Sequence, residues 1–351
     1  MTDKKTQKQT GNDKALPVVI WGSGAIGGTI GAALVRAGRE VLFVDSSKEH
    51  VERMRSGGLR ISGPVESFAC STKAVTPDEM TGQWPLILLA VKAHHTESAT
   101  QQLLPFLRSD GVVVSCQNGM NETVIADIVG KDRVIGAFVN FLADYIEPGE
   151  IHYGGRGAVV VGETDGTMSD RVRDIHQTLR LFEPEAVLTE DIFGYLWGKA
   201  AYGTLLKTSA IADASILDYL TDQTYRSVLL GMIQEVLAAA KAEGASPKPF
   251  NGFEPAAFLA NDKAGIAQSL DALRAYNAVS TKTHSGVWRD LVKRKRQTDV
   301  VAQLNPVRTV ARQHGVATPL IDQLIELVED VETGRRQVGA KTFAALSEVA
   351  S

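Results

Sequence analysis

An apolar run, PVVIW, gives way to a glycine turn, GSGAIGG, then to TIGAALVRAG with apolar residues at helical spacing, then to a second apolar run, EVLFV, that ends at Asp45. Strand, turn, helix and strand in that order predict a βαβ unit. The rhythm continues downstream. Lys48 to Arg55 predicts a helix closed by Gly57 and Gly58, and LRISGPVESFACS two short strands joined at Gly63 and Pro64. LILLAV predicts a buried strand, Thr96 to Leu107 a helix, Val112 to Cys116 a strand and Asn121 to Val129 a helix. Val134 to Tyr145, Glu150 to Tyr153 and Ala158 to Gly162 read as three strands, separated by PGE and glycine turns, added antiparallel at the sheet edge. Beyond Thr164 the period is helical, over Arg171 to Phe182, Ile192 to Leu206, Tyr225 to Glu243, Thr281 to Arg294, Val300 to His314 and Leu320 to Val331. The pattern therefore predicts a doubly wound α/β unit over 15–188 and an all-α unit over 189–351, preceded by a polar, disordered tail over 1–14.

The glycine turn supplies the first candidate chemistry. In GxGxxG, Gly22 makes the tight bend, Gly24 lets the backbone approach a pyrophosphate and Gly27 lets the helix pack on the strand, which marks a Rossmann-type dinucleotide site. Gly22, Ser23, Gly24, Ala25, Ile26 and Gly27 are the candidate cofactor contacts, with the helix N-terminus facing the phosphates. Asp45, about twenty residues on, is placed to accept both adenosine ribose hydroxyls, which favours NAD(H) and leaves NADP(H) open. It is equally placed to cap the helix that begins at Ser46 or Ser47. Strand ends also carry Lys92 and Gln117-Asn118-Gly119, where ligands collect on such a sheet. In the helical half, Phe193, Leu196, Trp197, Ala200 and Ala201 form an apolar stripe, while Lys199, Gly203 and Leu206 share another face. His284, Ser285, Arg289 and Asp299 surround the basic run Lys293 to Arg296, which reads as a solvated face.

Composition sets the limits. A chain of 351 residues with 44% hydrophobic content can bury two cores. A net charge of -4 and the lack of stacking aromatics near the basic run argue against nucleic acid, and no apolar stretch is long enough to span a bilayer. The N-terminus lacks the apolar core of a signal peptide, so a cytoplasmic location is expected. Cys70 and Cys116 have no CxxC spacing and read as small core residues. His94 and His95 lack a third ligand, so no metal site is expected. The apolar helices leave a homodimer open.

In this order, GSGAIGG, LAVKAHHTESA, SCQNGMNE, LWGKAAYGTLL and HSGVWRDLVKRKRQTDVV resemble the ketopantoate reductase (2-dehydropantoate 2-reductase) family, from Pro17 to Val331. The resemblance implies a Rossmann domain, a helical domain like the C-terminal one of 6-phosphogluconate dehydrogenase, and a small-molecule substrate in the cleft between them. It implies a catalytic lysine at Lys199, a carboxylate helper at Asp299, and cofactor or substrate contacts at Lys92 and Asn118. Gly203 and Lys207 stand where ketopantoate-reducing members carry Asn, Asp299 where they carry Glu, and Ser285-Gly286-Val287 where they carry SSM. Asp45 stands where NADPH-using members often carry a basic residue. These departures imply the same type of reaction on a different substrate, a 2-oxo acid or related polar ketone and its alcohol. Lys199 is the expected general acid, and Lys207, His284 and Ser285 are further substrate candidates. The alternatives are an NAD-dependent polyol or hydroxy-acid dehydrogenase, and a non-catalytic NAD(P)-binding regulatory protein.

Overall fold

The computed structural model describes residues 16–279 and 283–350, so the tail expected over 1–14 lies outside the described residues. Val18–Trp21 forms β1, Ala25–Arg36 α1 and Val41–Val44 β2. Lys48–Gly57 (α2), Leu59–Ser62 (β3), Phe68–Cys70 (β4) and Lys73–Val75 (β5) follow. Next come Trp84–Leu89 (β6), Thr96–Leu103 (α3), Leu107–Ser115 (β7) and Glu122–Val129 (α4). Val134–Glu147 (β8) and Glu150–Glu163 (β9) form one long hairpin, and Asp170–Arg180 (α5) and Val187–Leu188 (β10) complete this half. The strand order is β4-β3-β9-β8-β7-β6-β1-β2-β5, with β10 beside β9. β1, β2, β6, β7 and β8 run parallel, and β9 returns antiparallel to β8.

Both faces of this Rossmann-type sheet are covered, which is why its strands read as continuous apolar runs. Val18 and Ile20 pack with Ile30 and Leu34 of α1 and Met54 of α2. The alternate residues Val19 and Trp21 pack on the other face with Leu103 of α3 and Ile125 of α4.

Three expectations about the sheet half are corrected. The helix expected to reach Leu107 stops at Leu103, because Pro105 in the following turn has no N–H to continue the ladder, and Leu107 already belongs to β7. The strands expected at Glu150 to Tyr153 and Ala158 to Gly162 are one strand, β9, and its glycines do not break it. A Cβ on Gly157 would lie 1.7 Å from the Asn140 carbonyl, so the glycine allows close approach where the hairpin register shifts. Nor are these strands all antiparallel additions at an edge: β8, the strand expected over Val134 to Tyr145, joins β7 in parallel, and β9 is followed by β3, parallel to it, with β4 beyond.

The remaining elements are helical: Ile192–Ile211 (α6), Ile216–Thr221 (α7), Arg226–Ala242 (α8), Pro255–Leu259 (α9) and Lys263–Ala278 (α10). Gly286–Trp288 (α11) runs into a π-helical segment, Arg289–Arg294, followed by Val300–Gln313 (α12), Pro319–Glu332 (α13) and Ala340–Val349 (α14). The helix expected from Thr281 begins instead at Gly286, capped by Ser285, and its first expected residues, 281 and 282, lie outside the described residues. Helix α6 continues past Leu206 to Ile211, and within it Thr208 and Ser209 donate their hydroxyls back to the Thr204 and Leu206 carbonyls. Apolar on nearly all sides, α6 is the central helix of this half, and its first turns pack on Phe138 and Val160 of the hairpin.

One packing contact sets the position of the glycine turn. A Cβ on Gly27 would lie 2.0 Å from the Gly22 carbonyl oxygen and 2.8 Å from Ile20 Cγ2. Gly27→Ala is expected to lower unfolding free energy by about 3 kcal/mol in urea denaturation, the upper end of overpacking costs. An unchanged midpoint would show that α1 does not depend on this approach.

Candidate active site

The C-terminal ends of the parallel strands face the helical half across a cavity of about 980 Å³. From the sheet side, Gly22, Gly24, Ala25, Ile26, Asp45, Lys92 and Asn118 reach it. Lys199, Gly203, Lys207, Ser285 and Asp299 reach it from the helical side. Three expected contacts lie elsewhere: Ser23 and Gly27 are buried beneath the turn, and His284 faces a second cavity of about 320 Å³. His284 is drawn away by ring contact with Trp288, 4.0 Å between centroids, and by Thr283 Oγ1 at 2.9 Å from its Nδ1.

The turn is shaped for an anion. Gly22 has φ +94°, and a Cβ there would lie 2.9 Å from Val91. Gly24 is open, with no atom within 4 Å of where a Cβ would stand, and no side chain caps the α1 N-terminus behind it. Backbone N–H groups and the helix dipole are thus exposed to the cavity. Ser23 braces the turn rather than the cavity, since its N and Oγ donate to Asp45 Oδ2 at 2.9 and 3.1 Å. Asp45 Oδ1 accepts from Ser47 N at 3.0 Å, while Ser47 itself caps α2. The capping alternative for Asp45 is therefore filled by Ser47, and Asp45 ties the turn to the start of α2. His50, fully buried, completes the brace. Its Nδ1 lies 2.9 Å from Gly149 N, which can only donate, so Nε2 carries the proton and donates to the Ser23 carbonyl at 3.0 Å. Nothing in the local sequence distinguishes His50 from a surface histidine.

At the next strand ends, Gln117 Nε2 donates to the Val91 carbonyl at 2.9 Å and to Thr96 Oγ1 at 2.8 Å, joining two loops. Asn121 Nδ2 donates to the Asn118 carbonyl at 2.9 Å, holding the exposed Asn118 at the rim. Gly119, with φ +96°, has α12 against it, and a Cβ would lie 3.2 Å from Gln303 Cγ.

Lys92 is engaged across the cleft, donating to Asp290. Asp290, with a side chain only 3% exposed, also receives Arg296 Nε at 2.9 Å and Arg294 at 3.3 Å. Burial alone would raise its pKa, but the Lys92 and Arg296 charges overcome this and hold it below the usual carboxylate range. The basic run is therefore not a plain solvated face, because two of its arginines converge on a buried acid. The signal available in sequence was Asp290 four residues before Arg294, an i,i+4 pair.

Lys199 is half-buried as a residue, with its ammonium enclosed in the cavity wall. Its Nζ donates to the Val139 carbonyl at 2.5 Å and lies 5.2 Å from the centre of the Phe138 ring. Burial lowers its pKa to about 7, against the opposing charge of Glu122. Glu122, which sequence reasoning missed, is 2% exposed and lies beside Ser115. Burial raises its pKa to about 7, and hydrogen bonding from its own backbone and from Ser115, together with the Lys199 charge, acts against that rise. Asp299, 8% exposed, makes no ion pair among the described residues, although its charge favours the ammonium forms of both Lys199 and Lys207. Ser285 Oγ accepts from Trp288 N at 3.2 Å as the α11 cap, leaving its hydroxyl proton free to donate. Cys116 also borders the cavity, and burial pushes its thiol up to about 12, so it stays protonated.

A Rossmann-type sheet whose strand ends face a helical half, with a lysine ammonium enclosed in the cavity wall, is the architecture of a two-part oxidoreductase. Residues 18–166 match the family model described as Ketopantoate reductase PanE/ApbA, and residues 191–332 match its C-terminal counterpart. The chain belongs to this family of oxidoreductases acting on CH–OH groups. It is 23% identical over 317 residues to a 2-dehydropantoate 2-reductase of Streptococcus pyogenes serotype M6, covering 90% of this chain and 97% of that one. It is similar to the ternary structure of D-mandelate dehydrogenase with NADH and anilino(oxo)acetate, with TM-score 0.80, 22% identity, and 91% of this chain and 99% of that chain covered. It is also similar to 2-dehydropantoate 2-reductase from Geobacter metallireducens GS-15, with TM-score 0.78, 22% identity, and coverage of 90% and 99%.

The Asp290 cluster generates a stability prediction. Asp290→Asn keeps the volume and removes the charge that holds three cations, and the exposure of those partners moderates the cost to about 2 kcal/mol. Thermal denaturation at neutral pH is the check, and an unshifted midpoint would mean that the cations are held by other contacts.

Proposed function

We propose that this chain interconverts a 2-oxo acid, or a closely related polar ketone, and its alcohol with a nicotinamide dinucleotide, and that Lys199 handles the proton at the reacting oxygen. The buried Lys199 ammonium on the cavity wall, opposite the open glycine turn, is the observation that carries this reading. The 2-dehydropantoate 2-reductase relatives and the NADH-bound D-mandelate dehydrogenase neighbour support it.

The residues present fit a dinucleotide. Gly24 and the uncapped α1 N-terminus would hold the pyrophosphate, and Asp45 would accept the adenosine ribose hydroxyls with its remaining lone pairs. A carboxylate there repels a 2′-phosphate, so NAD(H) is the favoured partner. When bound, the nicotinamide supplies or accepts the hydride. Lys199 donates a proton to the oxygen as negative charge grows on it in reduction, and recovers that proton in oxidation. Lys92 and the Asp290 cluster hold the cleft walls in register, while Asn118 and Ser285 offer hydrogen bonds to substrate or cofactor at the two rims. The NAD preference also suits a hydroxy-acid dehydrogenase working chiefly in the oxidative direction, a second reading favoured by Asp45 alone.

Lys199→Ala is expected to lower kcat by about 1,000-fold or more while NADH affinity, read by fluorescence titration, changes little. In the unsubstituted protein the sign with pH follows from an acid near 7. Reduction needs the ammonium, so its kcat/KM falls as pH rises through about 7; oxidation needs the free amine, so its kcat/KM falls as pH drops below that. Full activity of the variant would remove Lys199 from the chemistry, and limbs of the opposite sense would reverse its role.

A further inference from the structure

Glu122 is a buried acid that no step of the proposed reaction uses. It opens α4, where an acidic side chain ordinarily stays in water near the helix N-terminus. Here the side chain is enclosed instead, with the buried Ser115 beside it and the buried Cys116 next along the chain. Among the described residues it neither reaches the cavity nor makes an ion pair. Burying a carboxylate in that condition is costly.

The fold sets this acid behind Lys199. Side chains alternate along β8, so Val134, Gly136 and Phe138 share one face of the strand. Val134 packs with Ile125 and Val129 of α4, a Cβ on Gly136 would lie 2.9 Å from Ile192 at the start of α6, and the Phe138 ring centre is 5.2 Å from Lys199 Nζ. Helices α4 and α6 therefore lie on the same face of β8. Met120, two residues before Glu122, already belongs to the core around α6. Ser115, the neighbour of the Glu122 carboxylate, pairs with Gly136, two residues before the ring that meets Lys199.

Four groups act on the charge of Lys199: Glu122 from α4, Lys207 from α6 itself, Cys116 from the loop after β7 and Asp299 from the start of α12, in falling order of effect. Helices α8, α13 and α14 also pack on α6, and they do so through apolar side chains of one core. Glu122 and Asp299 favour the ammonium, and Lys207 opposes it. Asp299, the carboxylate helper that the resemblance implied, is thus the weaker of the two acids toward this lysine. In an interior shielded from water, a carboxylate acts across an interval at which bulk water would screen it. The influence is mutual, since the Lys199 charge favours the ionised form of Glu122 against its burial.

We propose that Glu122 is a positioning residue for the Lys199 proton, a carboxylate behind the cavity wall that touches neither substrate nor cofactor and holds the ammonium until the reacting oxygen takes its proton. This rests on the reading of Lys199 as the proton donor.

The test follows the Lys199 titration by carbon-13 NMR in the unsubstituted protein and in Glu122→Gln, Asp299→Asn and Ser115→Ala, with the pH profile of reductive kcat/KM for whichever 2-oxo acid is turned over. Glu122→Gln keeps the volume and removes the charge. Its Lys199 midpoint is expected to fall by about one unit from about 7, the lower end of what an opposite charge does. The limb on which reduction is lost with rising pH moves with it, so kcat/KM at pH 8 drops about tenfold, whereas a purely structural role for Glu122 would leave that limb in place. Asp299→Asn is expected to move the midpoint less. Ser115→Ala, which removes a hydrogen bond to the carboxylate, is expected to move it in the same direction by a smaller step, and it carries the test if circular dichroism shows Glu122→Gln unfolded. A midpoint unmoved in folded Glu122→Gln or, failing that variant, in Ser115→Ala, or moved further by Asp299→Asn than by Glu122→Gln, overturns the role of Glu122 and leaves Lys199 as the donor. An ordinary lysine midpoint in the unsubstituted protein, or full activity in Lys199→Ala, overturns both.

Discussion

The burial of one ammonium organises this molecule. Lys199 can reach the Val139 carbonyl only because α6 lies hard against the β8–β9 hairpin, and small residues make that approach possible. A Cβ on Gly136 would lie 2.9 Å from Ile192, and one on Gly162 would lie 2.6 Å from the Thr189 carbonyl, so the start of α6 is fitted to the hairpin by glycines. On the opposite side, Gly194 and Gly198 admit the 246–248 segment, whose carbonyls would lie 2.6 and 2.4 Å from added Cβ atoms. The helix is thus packed on both sides, and its lysine is withdrawn from bulk water into the cavity wall. The Val139 carbonyl, the Phe138 ring and the charge of Glu122 offset the desolvation in part, leaving a cation that gives up its proton near neutral pH.

Around this lysine, charges fall into two groups with different jobs. Lys92, Arg294 and Arg296 are consumed by Asp290 and join the sheet half to the helical half, so they hold the cleft in register rather than stand free for a ligand. The glycine turn needs no cation at all, since helix N–H groups and the dipole supply the positive potential. Among the described residues, Lys199 and Lys207 of α6 are the cavity-wall cations that make no ion pair, and a buried charge without one is costly.

Much of this was legible in the sequence where a local pattern carries the constraint. The glycine turn, the strand ending at Asp45, and a lysine off the apolar stripe of α6 each follow from spacing within a few turns or one βαβ unit. The failures share a different cause. Lys92 and Asp290 are 198 residues apart, and no periodicity links them, so Lys92 read as a free cation and the arginines as solvated. Ser23 is occupied by Asp45, and His50 by Ser23 and Gly149, through contacts made only once α2 folds back over the turn. Glycines that normally end strands are here enclosed by a hairpin that needs them, and a proline ended α3 sooner than its apolar pattern suggested. The helices α7, α9, α10 and α14 escaped notice because they are short or show only a narrow apolar stripe, such as Ile266, Leu270 and Leu273 in α10.

The account stands most directly on the protonation state of Lys199. With lysines labelled by carbon-13 at Cε, and the Lys199 resonance assigned from the Lys199→Arg variant, its chemical shift is followed by NMR from pH 5 to pH 11. A midpoint near 7, far below that of exposed lysines, is the predicted result. A midpoint near the ordinary lysine value of about 10.4 would show that the ammonium remains solvated, and would contradict the claim that the packing of α6 against the hairpin makes it a proton donor at neutral pH.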